Sequence, residues 1–310
     1  MSQDLGSQLQ NLYQQYGHIE GVQFELHQNL ISVYVQSPLA EARVFLQGAQ
    51  VSHFQPAGHQ PVLWLSDANV YQRGQPLRGG IPISWPWFAE FSKNPAELQR
   101  QINADEPPPA HGFARNHDWQ LTELSRSGDV FELQFGWQPQ SPWWPFDCTL
   151  SLKVVVGREL SVQLTVHNAG SEAFYYAPAL HSYFAVGDVR RVLVTGLEGQ
   201  SYFDATNQWQ LAEQVGDLTV DGELDRIYEQ VPDAIELVDP ALERTIRINQ
   251  QGLPSLVTWN PWHEKGARLS QFHSDDYHKM LCLERAALLK NDVLCESGAY
   301  CHQNLVITVT

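Results

Sequence analysis

Basic residues are scarce: 19 Lys and Arg stand against 35 Asp and Glu, a formal charge of −16 over 310 residues. A chain without a broad basic face is repelled by nucleic acid and by anionic membranes, so neither is expected as a partner. Cysteine is sparse as well. Cys148, Cys282, Cys295 and Cys301 form no C-x-x-C pair, which leaves zinc-ribbon and thioredoxin-type chemistry without support and fits a reducing compartment. No apolar run approaches the roughly 18 residues of a membrane span, and the N-terminus lacks the basic and apolar regions of a signal peptide. A monomeric, cytoplasmic protein is the expectation. There is no G-x-S-x-G elbow, Walker loop, G-x-G-x-x-G after a strand or H-E-x-x-H. His111 and His117 stand six apart, a spacing that suits no common ligand pair, so no metal is expected.

What the chain does contain is apolar surface: 43% hydrophobic residues, with 10 Trp, supply a core and exclude a disordered chain. Leu5, Leu9, Leu12, Tyr13 and Tyr16 recur at helical spacing, with Asp4 placed as the cap. Beyond this helix the pattern has period two. Residues 130–135, 148–156 and 158–167 alternate apolar and polar side chains, as half-buried antiparallel strands do. Further strands are expected at 31–35, 41–45, 191–195, 244–248, 280–284 and 305–309. Many short strands between Gly, Pro, Asn and Asp turns predict an all-β sandwich, and no helical alternation suggests a doubly wound sheet. With no composition break and no internal repeat, residues 19–310 are expected to form one β-sandwich domain preceded by a helical extension, residues 1–18. The proline-rich run 103–110 reads as a surface excursion, and the acidic stretch 204–243 as a solvated face.

Three segments carry polar groups that strands alone do not explain. Arg78-Gly-Gly-Ile-Pro-Ile-Ser-Trp-Pro-Trp-Phe88 has two glycines, which permit close approach of backbone to a ligand, and two stiffening prolines. His111-Gly-Phe-Ala-Arg115 offers a second guanidinium, whose planar fork suits a carboxylate or phosphate. Singly, each arginine is more often a surface or ion-paired residue. Pro178-Ala-Leu-His181-Ser-Tyr-Phe184 sets a histidine among apolar neighbours, where a hydrogen-bonded core role is the commoner one. Glu284, in Met280-Leu-Cys-Leu-Glu-Arg285, has an ordinary explanation in an ion pair with Arg285 unless it faces a pocket. Trp259-Asn-Pro-Trp262 reads as a strand end followed by a rigid turn.

Taken in order, Arg78-Gly-Gly-Ile-Pro with Trp-Pro-Trp-Phe, His111-Gly-Phe-Ala-Arg, Leu180-His-Ser-Tyr-Phe, Asp225-Arg-Ile-Tyr, Trp259-Asn-Pro-Trp and Cys282-Leu-Glu resemble the glucose-6-phosphate 1-epimerase family. These are the hexose-6-phosphate mutarotases of the wider aldose 1-epimerase group. The resemblance spans about residues 20 to 310. It implies a galactose mutarotase-like β-supersandwich of antiparallel strands, an isomerase of carbohydrate metabolism, a sugar phosphate as the small-molecule partner and no organic cofactor. By position it implies His181 as general acid, Glu284 as general base, Arg78 and Arg115 as phosphate and substrate contacts, Asp225 as a hydroxyl-binding carboxylate and His111 as a ring-positioning residue. Two positions depart from the family pattern: Ala110 stands where Gln is common, and Ala89 where Gly is usual.

The chemistry suits these residue types. Opening a hemiacetal needs one group to take the C1 hydroxyl proton and another to protonate the ring oxygen. A carboxylate of reference pKa roughly 4.3 and an imidazole of roughly 6.5 predict an ionised Glu284 and a charged His181 near neutrality. An aldose 1-epimerase acting on unphosphorylated sugars would keep the same pair and use the arginines structurally. A non-catalytic binder would instead use Trp85, Trp87 and Trp262 to stack on sugar. A glycoside hydrolase fits less well, since that chemistry usually wants two carboxylates about the bond.

Overall fold

The computed structural model describes residues 5–102 and 106–310. Asp4, the expected helix cap, and the start of the proline-rich run, Asn103, Ala104 and Asp105, lie outside the described residues.

Leu5–Tyr16 is the expected helix. It is amphipathic, and its Leu12 and Tyr16 join the main apolar core. The Tyr13 hydroxyl donates to the Phe24 carbonyl at 2.8 Å, which fixes the helix against the first strand. That strand, Val22–His27, begins a four-stranded meander with Leu30–Gln36, Ala40–Phe45 and Gln50–Pro56.

Two larger sheets of eight strands follow among the described residues. One runs in the order Leu193–Thr195, Ala234–Asp239, Arg244–Gln251, Tyr300–Val309, Leu160–Asn168, Cys148–Val156, Val130–Trp137, Gln120–Ser127. Its strands alternate buried and less buried residues: Leu150, Leu152 and Val154 face the core while Thr149, Ser151 and Lys153 turn outward. This is the pattern of a sheet with one face packed and one wet. The other sheet runs Gln210–Glu213, Ser201–Asp204, Leu224–Tyr228, Ser255–Asn260, Met280–Ala286, Ala179–Leu180, Ile83–Ser84, and Tyr183–Ala185 also pairs with Met280–Ala286. Among the described residues every ladder between these strands is antiparallel.

The expected strands are present with shifted ends. Residues 191–195 shorten to Leu193–Thr195, because Asp188 accepts from the Arg190 amide and closes a single helical turn over Val189–Arg191. Two of the strands without an expectation have lost their alternation. Ser255–Asn260 is buried along nearly its whole length, and Gln120–Ser127 carries a bulge between Leu121 and Glu123 that moves the pattern from one face to the other. The acidic stretch contributes Leu224–Tyr228 to one sheet and Ala234–Asp239 to the other, so it is not merely a solvated face.

Gly79 and Gly80 correct the reading that glycines here admit a ligand. Both have positive φ, and a methyl at either would meet backbone: Trp64 and Leu65 beside Gly79, Val51 and Ser52 beside Gly80. They let two chain segments touch. Gly80→Ala is therefore expected to cost at least about 2 kcal/mol, from left-handed backbone strain added to a clash that only backbone movement relieves. Urea unfolding of the variant beside wild type measures it.

Candidate active site

The central strand Met280–Ala286 is buried at all seven positions, so its two faces do different work. Leu281 and Leu283 enter the main core on one face. Arg285 shares that face, and its guanidinium donates to the carbonyls of Pro232 and Asp233 at 3.0 and 3.2 Å. It does not pair with Glu284. Met280, Cys282 and Glu284 occupy the other face.

Register carries this face across the sheet. Tyr183, Cys282, Trp259 and Asp225 lie opposite one another in successive strands, and so do Glu284, Val257 and Ile227 two residues along. His181 follows Ala179–Leu180, held by its amide donating to the Pro82 carbonyl at 3.0 Å. These residues, except the fully buried Cys282, floor a cavity of about 430 Å³, walled by Arg78, Phe88, Ala89, His111 and Arg115. All six expected site residues, Arg78, His111, Arg115, His181, Asp225 and Glu284, line it.

His181 Nε2 lies 3.3 Å from Glu284 Oε1, and both side chains are more than nine-tenths buried. His181 Nδ1 and Glu284 Oε2 have no partner among the described residues. Tyr183 stacks on the His181 ring, 4.8 Å between centroids and nearly parallel, which fixes the ring plane. Burial pushes Glu284 well above the usual carboxylate range, and nearby Asp225 adds to this while Arg115 opposes it. Burial likewise pushes His181 well below the ordinary imidazole value, with His111 and Arg115 acting the same way. The resting charges expected from reference values are thus reversed: a low-dielectric site favours neutral imidazole and protonated carboxyl.

His111 approaches His181 at 5.5 Å between ring centroids. Its Nδ1 accepts from the Ala89 amide at 3.4 Å and contacts the Ser84 hydroxyl at 3.3 Å, which leaves Nε2 as the protonated nitrogen. Burial, with Arg115 and Arg78 adding to it, lowers its pKa to about 3. It is a neutral donor.

Arg78 is fixed by Nε donating to the Ser270 carbonyl at 2.9 Å, and Arg115 by Nη2 donating to the Ala110 carbonyl at 3.1 Å. Position 110 thus serves the site through its backbone, whatever its side chain. Among the described residues neither arginine has a carboxylate within ion-pair distance, and Arg115 Nε is buried without an acceptor. Apart from Glu284, the cavity's carboxylates have cations of their own: Asp225 meets Lys265 at 3.4 Å and Glu90 meets Lys93 at 3.4 Å. Burial raises the Asp225 carboxyl, and Lys265 opposes that rise.

The tryptophans named for stacking do not reach the cavity. Trp85 and Trp87 are fully buried in an aromatic cluster with Phe113, and Trp262 packs on Tyr277 at 5.0 Å. Trp259 and Trp209 line it instead. Lys93, 5.0 Å over the Trp209 ring, is a further rim residue that no motif pointed to. The two come from separate loops, and only the fold brings them together.

Residues 33–308 match the sequence model described as aldose 1-epimerase. The chain belongs to the aldose 1-epimerase family. It is an isomerase of the epimerase class with a sugar substrate. A relative from Escherichia coli K12, named "Putative glucose-6-phosphate 1-epimerase", is 34% identical over 260 residues, 82% of each chain. One of the same name from Cenchrus ciliaris is 29% identical, covering 80% of this chain and 75% of its own. A crystal structure described as a "putative mutarotase" from Salmonella typhimurium superposes with TM-score 0.85 at 29% identity, over 94% of this chain and 95% of that one. A galactose mutarotase-like protein from Clostridium acetobutylicum shares the fold at TM-score 0.70 and 10% identity, over 93% and 98% of the two chains. The all-β galactose mutarotase-like architecture is thus the family's own.

Two consequences of burying these titratable groups are measurable. The His111 imidazole signals should not titrate between pH 5 and 8, as followed by NMR of the ring protons. Because Glu284 keeps its proton in the fold above the ordinary 4.5, its contribution to stability declines as pH rises from that value through its folded pKa. Glu284→Gln should therefore raise Tm by about 2 °C at pH 8, from about 1 kcal/mol, with a smaller gain at pH 5. Thermal unfolding at the two pH values checks the sign.

Proposed function

We propose that this enzyme interconverts the α and β anomers of a hexose 6-phosphate, glucose 6-phosphate first among them. The observation that carries the reading is the pair of unpaired guanidiniums, Arg78 and Arg115, in one cavity with the His181–Glu284 pair. A neutral hexose needs hydroxyl partners and an apolar face, which Asp225 and Trp259 supply. It does not need two unpaired cations. A phosphate dianion does, above all on a protein of net charge −16, whose global field repels it. The names carried by the relatives agree with this substrate.

One proton is shared by the acid–base pair. In the productive arrangement it sits on His181, and Glu284 is ionised. Glu284 takes the proton of the C1 hydroxyl as His181 delivers its own to the ring oxygen. The C1–O5 bond breaks, C1 becomes the aldehyde, and the pair is left as protonated Glu284 and neutral His181. That is the arrangement burial favours, so the drive toward ring opening comes from removing two opposite charges from a poorly solvated site. Rotation about C1–C2 presents the other face of the aldehyde. Reclosure returns both protons by the reverse transfers, and no covalent intermediate forms. His111, a neutral donor, orients a hydroxyl without adding charge.

His181→Ala and Glu284→Gln should each lower anomer exchange by about 10² to 10⁴ with circular dichroism unchanged. Near-normal exchange in either would remove that residue from the reaction. Arg115→Ala should weaken turnover of glucose 6-phosphate about tenfold to a hundredfold, the effect of one charge-assisted hydrogen bond, and leave glucose turnover nearly as it was. Equal losses on both sugars would contradict a phosphate-binding role.

A further inference from the structure

Cys282 lies beside the acid–base pair and has no part in the proton transfers described above. It is fully buried, two residues before Glu284 and on the same face of the strand. Its Sγ, a His181 ring nitrogen and a Glu284 carboxylate oxygen all lie within 4.8 Å of one another. A tetrahedral zinc ion with bonds of 2.0–2.3 Å separates its ligands by roughly 3.3–3.7 Å. His181 Nε2 and Glu284 Oε1, at 3.3 Å, already stand at that spacing, and the thiol needs a shift of about an ångström.

We propose that His181, Cys282 and Glu284 form a binding site for a soft divalent cation of the zinc class, and that its occupancy stops anomer exchange. Three independent features support it. The ligand set is mixed S, N and O, which suits zinc and its neighbours and does not suit magnesium or calcium. Two buried polar atoms at the site, His181 Nδ1 and Glu284 Oε2, are unpartnered, so apart from their own 3.3 Å contact the ring and carboxylate are not held by competing hydrogen bonds. Three protein ligands leave a fourth position open toward the cavity, where water can complete the shell.

The charges balance on binding. The cation meets a neutral thiol and a histidine–carboxyl pair that holds one proton. It leaves a thiolate, a carboxylate and a neutral imidazole around M²⁺, and two protons pass to solvent. The filled site is neutral, which a buried position beside Arg78 and Arg115 tolerates better than a bare cation. Apparent affinity should therefore rise about a hundredfold per pH unit while both protons remain bound in the free enzyme. The metal also takes the lone pairs that proton transfer uses, so metal and mutarotation exclude one another. Only this inhibitory half rests on the acid–base reading; the binding itself does not.

The test has two arms. Cobalt(II), added alone to the full chain, should give a thiolate-to-metal charge-transfer band that is absent in Cys282→Ser and Cys282→Ala and is abolished by excess zinc. In parallel, micromolar zinc should suppress anomer exchange on glucose 6-phosphate in wild type by at least tenfold, with at least a tenfold higher zinc requirement in the two Cys282 variants. Absence of the band in wild type overturns the site. So does equal zinc sensitivity in wild type and variants, which assigns inhibition to other histidines. A band in an enzyme without exchange on any hexose 6-phosphate would uphold the site and refute the proposed substrate, so the two failures are told apart.

Discussion

Everything at the cavity floor depends on placing a histidine and a carboxyl 3.3 Å apart with both side chains more than nine-tenths buried. The sheet does this by register. Met280–Ala286 is covered on both sides, so a side chain at position 284 is out of solvent whichever way it points, and the alternation sends Leu283 and Arg285 to the core and Glu284 to the cavity. A slip of one residue would exchange the two sets. The cost of a buried carboxyl and imidazole is met by the rest of the core, in which long alternating strands such as Cys148–Val156 and Leu160–Asn168 supply apolar surface free of functional demands.

The same cavity would let an acidic protein take the anion proposed as its substrate. Net charge acts over the whole surface and is screened over roughly 8 Å in physiological salt. Arg78 and Arg115 would act at contact distance, in a cavity where Asp225 and Glu90 are occupied by Lys265 and Lys93. The arginines also depress His181 and His111, so the two guanidiniums and the buried His181–Glu284 pair are electrostatically one system. A dianion that offsets the arginines would ease the charging of His181 at the moment the substrate is present.

Much of this was legible before any coordinates. Period-two alternation marks the strands with one wet face, and the ordered motifs bring in Arg78, His111, Arg115, His181, Asp225 and Glu284 through the family they resemble. What was not legible has physical causes. Ser255–Asn260 is covered on both faces and so does not alternate; Gln120–Ser127 bulges and so loses its phase. Composition reveals an aromatic residue but not its direction, which is why Trp85, Trp87 and Trp262 pack while Trp209 and Trp259 line the cavity. Reference pKa values describe groups in water, and the pair at the floor is not in water. Gly79 and Gly80 carry the flexibility a ligand loop would need, but their neighbours are backbone.

The account turns on a pair that works with one shared proton. Its most direct test is the pH dependence of anomer exchange on glucose 6-phosphate, measured by magnetisation-transfer NMR with wild-type enzyme. The one-proton pair predicts exchange well above the buffer rate and a bell-shaped profile, falling on the acid side as the pair gains a second proton and on the alkaline side as it loses its only one. Exchange no faster than buffer, or a profile flat from pH 5 to 9, would contradict it.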